Sequence, residues 1–291
     1  MNSRILPAIL LLSLGIAPAP LLAGAHKKGI GEYDQPYAAA TLAELRVSWY
    51  YDWKPRQDVS GPPPDVNPVI WLADHGGVRG GGAPPSVQFI PMIWGKRNLN
   101  AADLRAAKAT GAGILLGFNE PNEKKQSNMT VQQALNAWPK LEALHMRLGS
   151  PAPGTGDDIK PDGWLARFMA GVKARGYRVD FICIHPYQSS FDPAQATRDL
   201  VNEVTTVHNM YHLPIWVTEY AMAQWGPPQK TPSAAVQAEF AQESAAALDQ
   251  LPFVERYAWF GDLPNWPAFA TNNANGTLTP VGQAWSTAPN D

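Results

Sequence analysis

The sequence predicts an α/β fold, a single-domain (β/α)8 TIM barrel, on two observations. Eight short apolar runs, rich in β-branched and aromatic residues, alternate with segments of helical periodicity, which is typical of a parallel sheet wrapped by helices. Two of these runs end in a carboxylate, Glu120 after the fourth strand and Glu219 after the seventh. Because the C-terminal ends of barrel strands share one face, we expect the two glutamates to lie together.

The N-terminal segment has the pattern of a secretory signal peptide. Arg4 precedes an apolar run, residues 5–22, and Ala23, Gly24 and Ala25 then fit a small-x-small cleavage site. The alternative, a transmembrane anchor, is disfavoured by three prolines within the run. We therefore expect residues 1–25 to be removed and residues 26–291 to form the catalytic domain of a secreted protein, extracellular or periplasmic, with no membrane association after cleavage.

The first four predicted strands follow from composition. They are KKGIGEY, RVSWYYDW, VQFIPMIWG and ILLGFNEPN. A helix is expected at Ala38–Leu45, and another after an N-cap at Asn98 or Asn100. Residues 54–86 are rich in Pro and Gly, so we predict a long loop after the second strand, in which Trp71 either covers a binding cleft or packs against the barrel.

The second half of the chain repeats the alternation. Strands five to eight are RLGSPAP, RVDFICIHPYQ, PIWVTEYA and RYAWFG. Helices are predicted to begin at Thr130, where Gln133 completes a capping box, at Asp162, at Asp192 with proline in the first turn, and at Thr231. The final stretch, ANGTLTPVGQAW, predicts a turn and a short helix.

The two glutamates suggest acid–base chemistry on one bond. A glycosidic bond is cleaved by two carboxyl groups, one protonating the leaving oxygen while the other attacks the sugar carbon or activates water. Glu120 and Glu219 fit these roles, although each alone is also typical of a salt-bridged residue at a strand end. Asn119 can donate to a sugar hydroxyl beside the reacting carbon, or it can cap the loop as a turn residue.

Aromatic residues at strand ends favour a carbohydrate partner. The chain has eleven tryptophans, and sugar rings present apolar faces that stack on such side chains. A phenol or imidazole beside the Glu219 strand can keep that carboxylate ionised, whereas the alternative for the histidine is a core residue satisfied by backbone. Trp259 is a candidate for the side chain that stacks beneath the sugar, or it packs against the rim of the barrel. The candidate binding residues are Trp49, Tyr50, Trp94, His185, Tyr187 and Trp259.

Composition and missing motifs exclude several classes. A formal net charge of −2 gives no electrostatic footprint for nucleic acid or an anionic membrane. Cys183 is the only cysteine, so no intramolecular disulfide forms. The sequence has no GxSxG, phosphate-loop or CxxC motif, and His208 and His212 have helical metal spacing without the glutamate of HExxH. We expect no metal, no cofactor and a monomer.

Three motifs together carry a family resemblance. GFNEPN, IHPY and WVTEYA, in this order and spacing, resemble glycoside hydrolase family 128, and the match extends from KKGIGEY to PVGQAW. The resemblance implies a retaining β-1,3-glucanase acting on β-1,3-glucan, with endo action the expectation. It also implies that Glu120 is the acid/base, Glu219 the nucleophile, Asn119 a ligand of the sugar beside the reacting carbon and Trp259 its stacking partner.

Two departures from the family pattern accompany the match. The Pro/Gly-rich stretch after Asp52 is longer than expected and bears on the distal subsites, and proline follows His185 in IHPY, which bears on the role of that histidine. The alternatives in other classes are a non-catalytic glucan-binding or cell-wall protein on the same barrel, and a hydrolase of another β-linked polysaccharide such as mannan or xylan.

Overall fold

The computed structural model describes residues 27–31, 38–57, 87–261, 267–273 and 276–290. The predicted signal peptide, Trp71 and most of the 54–86 loop lie outside these ranges. Eight strands occur in the described ranges, at or near the positions that the apolar runs predict. They are β1 (Lys28–Gly31), β2 (Trp49–Tyr51), β3 (Gln88–Phe89), β4 (Ile114–Leu115), β5 (Arg147–Leu148), β6 (Ile182–Ile184), β7 (Ile215–Tyr220) and β8 (Val254–Phe260).

The helices alternate with the strands as predicted. They are α1 (Ala38–Glu44), α2 (Ala101–Ala109), α3 (Val131–Glu142), α4 (Trp164–Arg175), α5 (Pro193–Tyr211), α6 (Ala234–Asp249) and α7 (Pro280–Thr287). In the described part of the chain, no helix is both long and apolar enough to cross a membrane.

Local capping chemistry explains where these helices begin. Asn100, Thr130 and Asp192 each accept a hydrogen bond from the backbone N–H three residues ahead, as predicted, and Gln133 completes the capping box. The N-cap of α6 is Ser233 rather than Thr231.

The start of α4 also differs from the prediction. Asp162 is not its N-cap, because Gly163 occupies that position without a side-chain hydrogen bond. The acceptor comes instead from the preceding loop, where Asp157 Oδ2 receives the N–H of Leu165 at 3.1 Å. A buried carboxylate from outside the helix thus replaces the expected local cap.

Parallel pairing links the strands around a ring. One sheet has the order β3-β2-β1-β8-β7-β6, and β4 pairs with β5. Isolated parallel bridges, Met92 with Leu116 and Gly149 with Phe181, join the β4–β5 pair to β3 on one side and to β6 on the other. Each strand therefore has a neighbour on both sides, and the C-terminal ends of all eight meet at one face, as in a TIM barrel.

Alternate strand residues divide the core into two layers. An inner layer fills the barrel and includes Trp49, Met92, Leu116 and Cys183. A larger cluster forms the outer layer between the strands and the helices and extends to Tyr187 and Phe260 at the C-terminal opening. Because successive strand residues point to opposite faces, one strand supplies both layers.

The N-terminal end of the barrel is closed by a charged and aromatic plug. The guanidinium of Arg256 lies 4.6 Å from the ring centroid of Trp216 and 5.6 Å from that of Trp49. Arg147 grips Glu255 with both terminal nitrogens, at 2.8 and 2.6 Å. This end of the barrel is therefore held by fixed cations, aromatic rings and one bidentate ion pair.

Candidate active site

Glu120 follows β4 in a backbone conformation that only neighbouring strands can enforce. Its φ is 38°, in the left-handed region that costs a non-glycine residue about 1–2 kcal/mol. The N–H of Glu120 donates to the carbonyl of Ala152 at 2.7 Å, and the N–H of Asn119 to that of Trp94 at 3.0 Å. Neighbouring segments on both sides therefore fix the turn that presents the carboxylate.

Glycine at position 117 permits this approach. A Cβ there would lie 2.8 Å from both the nitrogen of Pro151 and the carbonyl oxygen of Ser150. Leu116 belongs to the inner layer and Phe118 to the outer one, although residues two apart on a regular strand share a face. The alternation therefore breaks at Gly117, two residues before the Asn119–Glu120 pair.

A bulge in β7 directs the side chain of Glu219 into the barrel. Val217 pairs with Tyr257 and Tyr220 with Trp259, so two residues of β7 face the single Ala258 of β8. Both Val217 and Tyr220 lie in the outer layer. The extra residue reverses the alternation, so that Glu219 points inward where a regular strand would point it toward the helices.

The two glutamates meet on either side of His185. Its Nδ1 lies 3.1 Å from Glu120 Oε1 and 3.5 Å from Glu219 Oε2. One atom of each of the three side chains lies within 4.8 Å of the others. The structure thus brings together Glu120, Glu219 and His185, as the sequence predicted from strand counting.

Three donors from two other strand ends surround the Glu219 carboxylate. Trp53 Nε1 donates to Oε1 at 2.7 Å, Tyr187 Oη to Oε2 at 2.7 Å, and Tyr51 Oη to Oε1 at 3.2 Å. Burial and the nearby carboxylates raise the pKa of both tyrosines well above 10. The phenols therefore stay neutral and act as donors throughout the ordinary pH range.

Opposing effects set the ionisation of this cluster. Burial raises the pKa of Glu219, His185 lowers it and the charge of Glu120 adds to the rise, with a net pKa above its ordinary value. For His185, burial lowers the pKa, but Glu219 and the hydrogen bond and charge of Glu120 raise it above 6.5. The ionisation of Glu219 and that of His185 are therefore coupled.

The two carboxyl groups differ in the hydrogen bonds that they accept and in their exposure. Glu219 accepts three hydrogen bonds from neutral donors, whereas the Glu120 side chain accepts one, from His185, among the described residues. Donors stabilise the ionised form, and the side chain of Glu120 is the more exposed, at 14% against 5%. Hydrogen bonds therefore stabilise and orient the carboxylate of Glu219, whereas the carboxyl group of Glu120 is the more accessible of the two.

The same three side chains offer a donor set that a metal ion can use. However, both oxygens of Glu219 already face N–H and O–H hydrogens, and Nδ1 of His185 is directed at Glu120 Oε1. Those hydrogens occupy the positions where a cation would approach. The geometry fits proton transfer between the groups better than metal ligation.

Asn119 and Trp94 lie beside the pair. Asn119 is 3% exposed, and its Oδ1 has no hydrogen-bond partner among the described residues. Its Nδ2 makes only a long contact of 3.5 Å with Gln126 Oε1. Trp94 is partly exposed and stacks on the guanidinium of Arg97 at 4.0 Å. Both residues follow strand ends at the face where binding was expected, and their binding role stays a prediction.

Three predicted binding residues lie elsewhere. Trp49 is fully buried in the N-terminal plug, where its Nε1 donates to the carbonyl of Lys27. Tyr50 points outward and packs on Phe89. Trp259 is also fully buried in the outer layer, so its ring cannot stack beneath a sugar. The physical reason is strand alternation, which turns Tyr50 and Trp259 away from the barrel interior.

The aromatic residues that do surround Glu219 were not all predicted. Trp53, Tyr187, Trp225 and Phe260 form a connected set, with Tyr187 ring centroids 4.9 Å from Trp225 and 5.4 Å from Phe260. Trp225 is partly exposed and lies five residues beyond β7. The signal that could have found these residues is their position just past a strand end, where side chains face the opening.

Comparison with known proteins gives one family. The family described as glycosyl hydrolase catalytic core matches residues 31–285. The chain is similar to an endo-β-1,3-glucanase of glycoside hydrolase family 128 (subgroup I) from Amycolatopsis mediterranei, solved with laminaritriose, at 40% identity and a TM-score of 0.77, covering 91% of this chain and 100% of that one. Variants of that enzyme with a glutamate replaced were solved with laminarioligosaccharides.

Two further relatives extend the comparison. A family 128 (subgroup III) curdlan-specific exo-β-1,3-glucanase from Blastomyces gilchristii is 28% identical with a TM-score of 0.66, over 91% of this chain and 99% of that one. Alkali-sensitive linkage protein 1 of Schizosaccharomyces pombe is 26% identical over 253 residues, which is 82% of this chain. The chain spans 40% of that protein's length.

Proposed function

The chain belongs to glycoside hydrolase family 128, and from that premise we propose that it is a secreted, retaining endo-β-1,3-glucanase. The observation that carries the proposal is the pairing of Glu120 and Glu219 across His185, with one side-chain oxygen or nitrogen atom of each residue within 4.8 Å of the others. Carboxyl groups roughly 5–5.5 Å apart belong to retaining enzymes, whereas inverting enzymes separate them by roughly 6.5–9.5 Å to admit a water.

The first half of the reaction forms a covalent intermediate. Glu219, ionised and aimed by Tyr51, Trp53 and Tyr187, attacks the anomeric carbon. Glu120 gives its proton to the glycosidic oxygen, the C–O bond to the leaving chain breaks, and an ester forms between the sugar and Glu219.

The second half returns the enzyme to its starting state. Glu120, now ionised, removes a proton from a water molecule whose oxygen attacks the same carbon, and the ester bond to Glu219 breaks. His185 contacts both carboxyl groups, so it stabilises the negative charge as that charge moves from Glu219 to Glu120. The Oδ1 of Asn119, which has no hydrogen-bond partner in the described part of the chain, is available to a sugar hydroxyl.

Endo action and the substrate rest on similarity. The subgroup I relative, at 40% identity, is an endo-acting enzyme, and the exo-acting relative is 28% identical. Secretion rests on the N-terminal pattern ending at Ala25, and N-terminal sequencing of the protein recovered outside the cytoplasm is the direct check. A new N-terminus at His26 supports secretion, whereas an intact Met1 in all of the protein contradicts it.

Product stereochemistry and product length test the enzymatic proposal together. The protein is incubated with laminarihexaose, and proton NMR follows the first anomer released while chromatography follows product sizes. Early β-anomer and a mixture of internal cleavage products are expected. Early α-anomer contradicts retention, glucose alone from the outset contradicts endo action, and hydrolysis of xylan or mannan in preference to β-1,3-glucan contradicts the substrate.

Azide distinguishes the roles of the two glutamates. With an activated β-glucoside as substrate, Glu120→Ala retains the nucleophile, so azide intercepts the covalent intermediate and gives a β-glycosyl azide. Glu219→Ala lacks the nucleophile, so azide attacks from the opposite face and gives an α-glycosyl azide. The reverse assignment of products would exchange the two roles.

A further inference from the structure

A second pair of carboxyl groups lies behind the active site. Asp158, in the loop between β5 and α4, is 1% exposed. No backbone, amide, hydroxyl or basic donor among the described residues reaches either of its carboxylate oxygens with good hydrogen-bond geometry, although its own N–H and that of Ile159 are near enough to lower its pKa. A buried carboxylate without donors is costly, so a proton must come from elsewhere.

The group that faces Asp158 is the side chain of Glu203 on α5, which lies within hydrogen-bond reach. Two ionised carboxylates cannot hydrogen-bond to each other, so a bond between them requires one proton. The other oxygen of Glu203, Oε2, accepts a hydrogen bond from Gln188 Nε2 at 2.8 Å. Glu203 therefore has one oxygen fixed as an acceptor while its carboxyl group lies within reach of Asp158.

Gln188 connects this pair to the active site. The same Nε2 donates to the carbonyl of Pro186 at 3.2 Å, and the backbone of Gln188 pairs with Ala221 and Ala223 beyond β7. Pro186 lies between His185 and Tyr187, both of which contact Glu219. The amide of Gln188 thus ties α5 to the short segment that carries two partners of the nucleophile.

The electrostatic surroundings place the proton on Glu203. Burial, then the charge of Asp158, raises the pKa of Glu203 to about 8. Burial raises the pKa of Asp158 to about 6, partly offset by the hydrogen bond from Glu203 and by His185. Asp199, one turn earlier on α5, also faces Glu203, and Tyr211 faces Asp158.

We propose that Glu203 and Asp158 are positioning residues for the reaction proposed above. Glu203, as a neutral carboxylic acid, donates to the Asp158 carboxylate and accepts from Gln188, which holds the His185–Tyr187 segment in place. Asp158, as the ionised member, supplies the negative charge that favours the cationic form of His185. The inference rests on the proposed function for its kinetic part only.

An isosteric substitution gives a sharp kinetic test. In Glu203→Gln, the amide nitrogen can donate to Asp158 and the amide oxygen can accept from Gln188, so it imitates the protonated acid. We expect kcat on laminarihexaose within two-fold of wild type. Glu203→Leu removes both bonds, and we expect kcat to fall about 10-fold with KM little changed, because the nucleophile's partners lose their exact placement.

Two further variants guard against misfolding and against a general charge effect. Gln188→Met breaks the same connection from the other side without touching a carboxyl group, and it should reproduce the fall in kcat. Glu239→Gln, a charge removal on the exposed face of α6, should change nothing. Equal impairment of Glu203→Gln and Glu203→Leu would overturn the assignment of the proton, and full activity of both Glu203→Leu and Gln188→Met would overturn the positioning role.

A titration without substrate tests the role of Asp158. NMR of the labelled histidine rings gives the pKa of each histidine. The signal of His185 is assigned as the one that disappears in His185→Asn. Because Asp158 adds to the rise in the pKa of His185, Asp158→Asn should lower that pKa measurably, while Glu203→Gln and Glu239→Gln leave it unchanged. If the pKa of His185 is the same in Asp158→Asn as in wild type, the proposed charge effect of Asp158 is overturned. This readout holds even if the protein does not hydrolyse β-1,3-glucan, so it separates the two proposals.

Discussion

Glu219 and Glu255 are carboxylates at opposite ends of the same barrel, and their partners differ in kind. Glu219, at the C-terminal end, is held by two phenols and an indole, with one titratable imidazole at 3.5 Å. Glu255, at the N-terminal end, is held by both nitrogens of Arg147 and by the indole of Trp216. One site uses neutral donors and the other a permanent cation.

This difference separates a reactive group from a structural one. Burial raises the pKa of Glu255 as it does that of Glu219, but Arg147 and Trp216 outweigh it and the net pKa of Glu255 lies below 4.5, whereas that of Glu219 lies above it. A carboxylate neutralised by a guanidinium is a poor nucleophile, because attack would forfeit the ion pair. Neutral donors orient Glu219 and leave its charge available for the proposed attack on the sugar carbon.

The largest expected difference appears when glutamate is replaced by glutamine at each end of the barrel in turn. Glu219→Gln should lower kcat on β-1,3-glucan by about 10⁴-fold or more, as expected when a nucleophile is removed. Glu255→Gln, its matched control, should keep kcat within about three-fold, since no substrate atom reaches the N-terminal plug. Initial-rate assays with circular dichroism check both, and a comparable loss in the two variants would abolish the contrast.

A smaller effect is expected from a single donor. Tyr187→Phe removes one hydrogen bond to Glu219, and a bond to a charged group contributes about 1.5–3 kcal/mol, so kcat/KM should fall at least about 10-fold. Tyr220→Phe is the matched control, because its phenol is buried one residue beyond Glu219 but contacts Ser244 on α6. If Tyr220→Phe loses as much activity as Tyr187→Phe, general packing rather than orientation of the nucleophile is responsible.

At the N-terminal end the expected effect is on stability. Glu255→Gln should lower the free energy of unfolding by about 1–2 kcal/mol at pH 7, a value that allows for the partial exposure of the Arg147 pair. The folded pKa of Glu255 is depressed, so its contribution is present above the unfolded pKa of about 4.5 and is lost as pH falls through the folded value. Urea unfolding at pH 7 and pH 3.5 should show the difference shrinking, and a constant difference would contradict this.

The smallest expected effect involves a buried lysine at the same end. Lys28 Nζ donates to the carbonyls of Trp285 and Ala288 at 2.7 and 2.8 Å, and burial lowers its pKa to about 8. Between this value and the unfolded pKa near 10.5, the unfolded chain binds the extra proton, so Lys28 favours the folded state increasingly as pH rises.

The pH dependence of that term is measurable by difference. Relative to wild type, Lys28→Met should lose about 2 °C more in Tm at pH 10 than at pH 7.5. Scanning calorimetry at the two pH values is the measurement, with Lys108→Met on the exposed face of α2 as the control. If Tm changes between the two pH values by the same amount in Lys28→Met and Lys108→Met, the effect comes from overall charge rather than from burial of Lys28.

The order of the fold was predictable because its signals are local. Apolar runs, proline and glycine punctuate the strands, and caps such as Asn100, Thr130 and Asp192 depend on contacts within three residues. The partnership of Glu120 and Glu219 was also predictable, because strand order alone brings their ends to one face.

The orientation of side chains was harder to predict. Tyr50 and Trp259 were expected at the sugar, but alternation along β2 and β8 turns both toward the helices. Trp53 and Trp225 were missed as site residues because they lie past the strand ends, where tertiary contacts rather than periodicity fix their direction. An apolar run in the sequence predicts a strand, but it does not show which side chains of that strand point into the barrel.

The bulge in β7 decides whether this barrel has a nucleophile at all. If β7 kept all its residues but ran from Val217 to Tyr220 without the bulge against β8, regular alternation would place a tyrosine in the cavity and send Glu219 into the apolar helix layer. The chemical composition of the strand would not change. Loss of catalysis in a relative can therefore arise from a change in strand pairing with every functional side chain still encoded, and an alignment that shows all of these residues in place would misjudge such a protein as active.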